Sequence, residues 1–222
     1  MGHVEQTNDL SSTWNRFLER VRSEGVQRAL LRALLHCLRR VGIVVRPFYY
    51  MREVLPGEIP EHLTKLPEGF EFSVFGRDDV LAISRLEERK DYVGERYVID
   101  NLTRGDACLG IKCHGETAAF TWYSLVACRD ESYPVAMKGN EAYLYDMYVL
   151  KAYRGNNIAP ILRYRNYQVL KEMGRTTFFS LTEYLNAPSF RFKRKLGAQP
   201  VFLGIYVELF KRCRVRFVLR RF

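Results

Sequence analysis

The sequence predicts an α+β domain, in which a mixed central sheet is flanked by helices and preceded by an amphipathic helical extension. Three observations carry this prediction. Short segments that alternate apolar and polar residues, such as residues 71–75, are typical of half-buried strands. One β-rich segment, residues 141–150, passes through a short polar turn into a helical pattern at residues 160–173. Residues 14–41 repeat apolar side chains at helical spacing.

The N-terminal amphipathic pattern runs from Trp14 to about Val41, and Gly25 could divide it into two helices. Its arginines lie largely off the apolar stripe. Two interpretations remain open. The segment packs on the domain or on another subunit, or residues 14–41 lie as a basic helix on an anionic membrane surface.

The next segment connects this extension to the domain. Residues 41–50 fit either a strand or a transition from helix to loop, and three prolines in residues 51–69 indicate a linker. We therefore predict a helical extension and linker at residues 1–66 and a single domain at residues 67–222.

The composition is that of a basic globular protein. Lys and Arg total 35 against 25 Asp and Glu, a net charge of +10, which suits nucleic acid, an anionic membrane or acidic ligands. Five cysteines without a C-x-x-C pair and four scattered histidines predict reduced thiols and no metal site. No signal peptide is recognisable and arginines interrupt the apolar runs, so we expect a cytoplasmic protein, with the inner face of a membrane as an option.

Strands and helices can be assigned in order from Phe70 onward. Strands are predicted at residues 71–75, 107–114, 117–126, 141–150, 176–182, 201–210 and 214–219. Helices are predicted at residues 78–90, 160–173 and 187–196, whereas residues 92–103 are ambiguous and residues 129–140 form a polar loop. The basic and aromatic stretches at residues 190–195 and 212–221 fit a helix packed on the sheet and a half-buried strand, so the sequence does not favour nucleic acid.

The turn after residue 150 has the features of an anion site. Gly155 allows a close approach of the backbone, and the neighbouring Asn156 and Asn157 tolerate a positive φ. Pro160 suits the first turn of the helix that follows, where its missing N–H is no loss. A strand, a polar turn and a helix in this order place backbone N–H groups at the positive end of a helix dipole, which predicts a phosphate or diphosphate ligand.

The residues of this turn resemble the acyl-CoA-binding motif of the GNAT acyltransferase superfamily, Arg/Gln-x-x-Gly-x-Gly/Ala. Arg154, Ile158 and Ala159 occupy matching positions, whereas Asn157 stands where the family prefers glycine. A second resemblance follows the next strand, where Asn186 precedes a short helix that ends in Leu196-Gly197. The two motifs together relate roughly residues 70–219 to the superfamily.

The resemblance implies a sheet in which two parallel strands splay apart and hold the pantetheine arm of acetyl-CoA or acyl-CoA. Cofactor-binding residues implied in this way are main-chain groups of Met147, Tyr148 and Val149, the turn residues Arg154, Gly155, Asn156, Asn157, Ile158 and Ala159, and the side chain of Asn186. A helix cap is the alternative role for Asn186.

The implied reaction is direct attack of an amine on the thioester, with neither a covalent intermediate nor a metal. Backbone groups of the central strand would stabilise the oxyanion. Candidates for the base are Glu141, Asp146 and Glu183, and none is preferred. The superfamily often has a tyrosine that acts as the leaving-group acid seven positions after the asparagine. This chain has Lys193 there, in a basic run typical of solvated side chains. Tyr184 is another candidate for the acid.

The sequence therefore predicts an N-acyltransferase that uses an acetyl or longer acyl group, delivered by CoA or by an acyl carrier protein, and an amine acceptor. The departures at Asn157 and Lys193 keep an alternative open, in which a catalytically silent domain binds acyl-CoA or a protein partner. A homodimer is a further option.

Overall fold

The computed structural model describes residues 25–90 and 92–222, apart from the side chain of His62. Its main feature is an eight-stranded sheet in the order β10-β9-β1-β8-β7-β4-β3-β2. The strands of this sheet are β1 (Ile43–Glu53), β2 (Phe70–Phe75), β3 (Ala107–Cys113), β4 (Glu116–Ser124), β7 (Glu141–Val149), β8 (Thr177–Glu183), β9 (Gln199–Leu209) and β10 (Cys213–Arg221). A separate two-stranded pair, β5 (Ala127–Cys128) and β6 (Val135–Ala136), lies in the predicted polar loop.

Five α-helices flank the sheet within the described residues: α1 (Val26–Arg40), α2 (Arg77–Ser84), α3 (Glu95–Thr103), α4 (Ile158–Glu172) and α5 (Ala187–Lys195). Residues 14–24 of the predicted N-terminal helix lie outside the described residues. The predicted α+β class, with helices around a mixed sheet, is confirmed. Within the described residues, no helix has both the length and the apolar composition needed to cross a membrane.

The parallel pair β7 and β8 opens toward its carboxyl end. Pairing covers only the first residues of each strand and stops at Tyr143 and Phe179. Beyond these residues, β7 pairs only with β4 and β8 only with β1. The two parallel strands therefore diverge. The splayed sheet implied by the resemblance is therefore present. Where β7 pairs with β4 the register shifts between Phe120 and Trp122, and Asp146 at this bulge has a φ of 42°.

Strand β1 belongs to the sheet, although it falls within residues 1–66. It lies between β8 and β9 and pairs antiparallel with both. Phe48 and Tyr50 pack in one apolar cluster with Phe202 and Tyr206 of β9. Of the two alternatives for residues 41–50, the strand is correct, and the sheet extends beyond the family-like segment into the N-terminal part.

The two faces of the sheet carry different helices. Helix α4 packs Ile161, Leu162 and Leu170 into the larger apolar core with β3, β4 and β7. On the opposite face, Val80 of α2 and Val98 of α3 join a second core with aromatic side chains of β4. The predicted helix over residues 78–90 is wrong in its length, because the chain leaves α2 after Ser84 and forms a separate 3₁₀ turn at Glu87–Arg89. The ambiguous residues 92–103 contain α3.

Candidate active site

The opening between β7 and β8 exposes backbone edges on both strands. From Leu144 to Val149, β7 has no backbone pairing with β8 in the described structure. This splayed half contains Met147, Tyr148 and Val149, the residues assigned to the pantetheine arm. The side chains of Met147 and Val149 pack against the core on the α4 side, and the Tyr148 hydroxyl donates to Glu88 at 2.8 Å. The backbone edge facing the opening is thus held in place from both faces of the sheet.

The turn after β7 presents backbone donors in the predicted order. A 3₁₀ turn at Lys151–Tyr153 uses the N–H groups of Tyr153 and Arg154 internally, with the Leu150 and Lys151 carbonyls as acceptors. From Gly155 to Ala159, no backbone N–H donates to any residue that the structure describes. Gly155 has a φ of 91° and Asn157 a φ of 56°, and α4 begins directly afterwards. Five adjacent N–H groups at a helix N-terminus are suited to an anionic ligand.

Asn157 fills the family's glycine position without conflict, because asparagine is the residue most tolerant of the left-handed conformation after glycine. The side chain of Arg154 does not extend from the turn. Its Nε donates to the Val149 carbonyl at 3.1 Å, and its guanidinium lies over the Tyr148 ring, 5.4 Å from the ring centroid. Arg154 therefore braces the end of β7 in this structure.

A cavity of about 730 Å³ lies beside the opening, on the face opposite α4. Both splayed strands contribute to its wall, β7 through Tyr145 and Asp146 and β8 through Leu181 and Glu183. The structure thus brings together two of the three predicted base candidates. Glu141 lies at the closed end of the strand pair, opposite Thr177, and its Oε2 accepts from the Lys138 N–H at 3.0 Å.

Asp146 is a largely buried carboxylate in the cavity wall, close to Arg89 and Tyr97. Oδ1 forms an ion pair with Arg89, whereas Oδ2 is buried and has no hydrogen-bond partner among the described residues. Burial raises the pKa of Asp146, and the nearby Arg89 opposes that rise. A carboxylate with a raised pKa in a cavity wall is a candidate proton acceptor for a bound substrate.

The cavity contains a second ion pair that the sequence did not reveal. Arg129 Nη1 lies 2.8 and 3.0 Å from the two carboxylate oxygens of Asp106, and the Tyr145 hydroxyl donates to Asp106 Oδ2 at 2.8 Å. Burial, followed by the charge of Asp106, raises the pKa of Tyr145, which keeps this phenol neutral. Arg89, Asp106 and Arg129 come from segments without a motif, so only their approach in three dimensions marks them as site residues.

Lys193 is buried on the other side of β8, and the solvated interpretation is wrong. Its side chain is 5% exposed, and Nζ donates to Ser180 Oγ, the Leu181 carbonyl and Thr182 Oγ1 at 2.7–2.8 Å. These acceptors lie on the splayed half of β8, just beyond its pairing with β7. Burial lowers the pKa of Lys193 to about 7, although the carboxylate of Glu53 opposes this effect.

Glu53 is the centre of a buried polar cluster behind Lys193. Its carboxylate accepts hydrogen bonds from Tyr167 and Ser180, and the Arg163 Nε lies 3.7 Å away. Burial alone would raise the pKa of Glu53, but the positive charges of Arg163 and Lys193 together with the hydrogen bonds from Ser180 and Tyr167 lower it. The strand β1 thus supplies the carboxylate that keeps two buried basic groups compensated.

The remaining predicted residues, Tyr184 and Asn186, lie between β8 and α5. Asn186 caps α5, since its Oδ1 accepts from the Ser189 N–H at 3.1 Å. Tyr184 does not line the cavity; its ring stacks on Tyr49 at a centroid distance of 5.7 Å. Among the described residues, no three His, Cys, Asp or Glu side chains form a group that could hold a metal ion.

Comparison with protein-family models matches this chain to one family. The model described as the acetyltransferase (GNAT) family matches residues 77–198, a segment that includes β7, the 155–159 turn and α5. The chain belongs to the GNAT acetyltransferase family. The resemblance carried by Arg154–Ala159 and Asn186–Gly197 is therefore confirmed at the level of the family.

Solved structures show the same GNAT fold at low sequence identity. A Drosophila protein matches with a TM-score of 0.56 and 18% identity over 81% of this chain and 57% of its own. A tandem GNAT protein from the clavulanic acid biosynthesis pathway has a TM-score of 0.53 and 15% identity, over 70% of this chain and 50% of its own. A GCN5-related N-acetyltransferase from Sphaerobacter thermophilus has a TM-score of 0.52 and 17% identity, over 85% and 57%.

This GNAT chain spans only about half to three-fifths of the length of those three proteins. A search of curated protein sequences gave no match.

Proposed function

We propose that this protein is an N-acyltransferase that transfers an acyl group from acyl-CoA to an amine by direct attack. The observation that carries the proposal is the opening between β7 and β8. It leads on one side to the unpaired N–H groups of Gly155–Ala159, and on the other it borders a cavity with a buried carboxylate, Asp146.

The donor half of the site supports acyl-CoA. Five N–H groups and the positive end of α4 suit a diphosphate such as that of CoA. The exposed backbone edge of Met147–Val149 has the donors and acceptors that the amides of a pantetheine arm require. Asn186 can still donate through Nδ2 while its Oδ1 caps α5.

The acceptor half supports an amine. Five acidic side chains line the cavity against four arginines. Among the described residues, Arg46, Arg89 and Arg129 are each paired with a carboxylate and Arg104 donates to Asn101, whereas Asp130 and Glu183 form no ion pair. The uncompensated carboxylates attract a protonated amine. Asp146 then takes the proton that the amine must lose to attack, because a protonated nitrogen has no free electron pair.

In the proposed step, the amine nitrogen bonds to the thioester carbonyl carbon and the carbon–sulfur bond breaks. Asp146 receives the proton lost by nitrogen, and the departing thiolate receives a proton from an acid. Lys193 is the candidate acid, because it lies on the splayed half of β8 and can carry a proton near neutral pH. Backbone groups of the splayed β7 half would stabilise the oxyanion.

Two measurements on the purified chain test the proposal. Isothermal titration calorimetry should show saturable binding of CoA, and thiol release should appear when acyl-CoA is combined with a reactive amine from a panel. Donors from acetyl-CoA to palmitoyl-CoA, and an acylated carrier protein, would define the acyl group. Absence of CoA binding would overturn the proposal. Binding without turnover on any amine would favour the silent acyl-CoA-binding domain instead.

A further inference from the structure

We propose that α1 and β10 form one docking surface for an anionic membrane. This proposal goes beyond acyl transfer and does not depend on it. The docking surface is defined by eight apolar residues on one side of the sheet: Val26, Leu30, Leu34 and Val41 around α1, and Phe210, Val215, Phe217 and Phe222 around β10.

Helix α1 carries apolar side chains on its outer side as well as on the side that packs on the sheet. Its inner side packs on β1, where Ala29 is buried. Val26, Leu30 and Leu34 recur at i, i+4 and i+8 on the outer side, and each remains more than half exposed. Within the described structure, this outer stripe has no covering element. Such a stripe costs free energy in water unless a partner covers it.

Strand β10 continues the surface on the same side of the sheet. Phe217 pairs with Ile205, and Ile205 pairs with Pro47, so these side chains share one face. Tyr49 lies on that face two residues from Pro47, and its pKa responds to Arg28 of α1. Residues Val215 and Phe217 therefore lie on the side that α1 occupies.

The two parts are joined at the Gly42 end, and β10 also contacts β1, on which α1 packs, near its own C-terminus. At one end, the Phe210 N–H donates to the Gly42 carbonyl at 2.7 Å, next to the exposed Val41. At the other end, the Phe222 ring lies 6.3 Å from Tyr49. Seven of the eight residues are 54–65% exposed, and Val215 is 37% exposed. A contiguous exposed apolar patch, unlike scattered apolar side chains, marks an interaction surface.

Charge identifies the occupant. Residues 26–42 contain four arginines and residues 210–222 contain six Lys or Arg, and neither segment contains an Asp or Glu. Arg214, Arg216 and Arg221 turn to the opposite face, and Arg28 and Arg32 lie on the inner side of α1, near Tyr49 and Leu185. The remaining basic residues of the two segments, Arg39, Arg40, Lys211, Arg212 and Arg220, are exposed around the docking surface. An apolar patch on two segments that carry basic and no acidic side chains matches the boundary between anionic headgroups and acyl chains.

The same charge argues against a second copy of the chain as the occupant. In a symmetric dimer through this surface, the basic residues of each copy would face those of the other without an acidic residue of either segment to compensate them. An anionic membrane supplies the complementary charge, and it also accepts exposed phenylalanine and leucine side chains.

Vesicle co-sedimentation of the full chain tests the proposal. We expect binding to phosphatidylcholine vesicles that contain phosphatidylserine, weak binding to pure phosphatidylcholine, and loss of binding as salt rises. The double variant Leu30→Glu with Leu34→Glu, and separately Phe217→Glu, should each lower the partition coefficient roughly tenfold or more.

Val74→Glu is the matched control, because Val74 is an equally exposed apolar residue on β2, at the opposite edge of the sheet. It introduces the same charge and should change binding less than about twofold. All variants are checked for an unchanged circular dichroism spectrum and elution volume. Equal losses from Val74→Glu and Phe217→Glu would overturn the proposal, as would binding that survives both docking-surface variants.

Failure of the full chain to bind acidic vesicles would also overturn it. If the chain without residues 1–24 binds whereas the full chain does not, those residues are the occupant instead. A concentration-dependent dimer that Phe217→Glu dissociates, without vesicle binding, would assign the surface to a second copy.

Discussion

Asp146 owes its position to a single irregularity of the backbone. The bulge in β7 gives this residue a φ of 42° and places it in the cavity wall, next to Tyr145. In a regular strand, two consecutive residues point to opposite faces. The bulge therefore adds a carboxylate to the cavity without removing the neighbouring tyrosine.

Replacing Asp146 by Asn should lower kcat/KM for thiol release by a factor of about 100 or more. The amide keeps the shape and can still accept from Arg89, but it cannot take a proton from the amine. Asp78→Asn, at an exposed position in the first turn of α2, is the matched control and should retain full activity. A loss in Glu183→Gln with full activity in Asp146→Asn would move the base to Glu183.

Lys193 gives a pH dependence with a defined sign. An acid must be protonated to act, so with a pKa of about 7 its contribution is full below that pH and declines as pH rises through it. We expect kcat to fall on the alkaline side of neutrality in the native chain. Lys193→Met should lower kcat and remove this alkaline limb.

Lys195→Met, at an exposed position on the same helix, is the control for the loss of one charge. If Lys193→Met lowers the melting temperature but leaves the alkaline limb of kcat in place, Lys193 is a structural residue only. Measurement of kcat from pH 5.5 to 9.5, together with thermal unfolding, separates the two roles.

The burial of Lys193 could not be predicted from its neighbours in the sequence. Arg191, Arg194 and Lys195 are exposed, as their run of positive charge suggests. Lys193 differs because its acceptors come from β8 and its counter-charge, Glu53, comes from β1. A local pattern reports the average environment of a segment, whereas long-range partners decide that of one side chain.

The β7–turn–α4 unit shows the opposite case at the scale of elements. Its strand, the polar turn and the helix were predicted, because glycine, asparagine and proline act locally on φ and on the available hydrogen bonds. The 3₁₀ turn at Lys151–Tyr153 was not predicted, and it uses the Arg154 N–H that was assigned to the ligand. The predicted helix at residues 78–90 fails for a reason outside its own sequence. The backbone becomes extended at Leu86, and the following 3₁₀ turn carries Arg89 to Asp146.

Gly155→Ala should weaken acyl-CoA binding by up to roughly tenfold, because a side chain at a φ of 91° strains the turn by about 1–2 kcal/mol. Relief of that strain would rotate N–H groups away from their common direction. Gly139→Ala, at a glycine with open space around it and without a positive φ, should bind normally. Calorimetric titration with CoA is the measurement, and equal affinity in both variants would contradict the role of the turn.

Across the whole molecule, β1 joins the N-terminal part of the chain to the C-terminal hairpin. It completes the sheet between β8 and β9 and supplies both Glu53 and the cluster around Tyr50. The sequence allowed a strand at residues 41–50 but not its location, since a single strand carries no information about distant pairing partners.

Deletion of residues 1–53 should therefore abolish cooperative folding, because it leaves the inner edges of β8 and β9 without partners and exposes Phe202. Deletion of residues 1–24, which keeps α1 and β1, serves as the control and should unfold cooperatively. Thermal unfolding followed by circular dichroism distinguishes the two, and a sharp transition in the shorter protein would refute the structural role of β1.

The place of β1 also has a consequence for synthesis. Ile43 pairs with Leu209 of β9, and Glu53 pairs with Phe178 of β8. Strand β1 therefore leaves the ribosome before any other strand of the sheet, but both of its partners are synthesised more than 100 residues later. Until then its aromatic residues and Glu53 lack the neighbours that bury and neutralise them. We expect the nascent chain to need protection by chaperones during this interval, and the sheet to close only after β9 has left the ribosome.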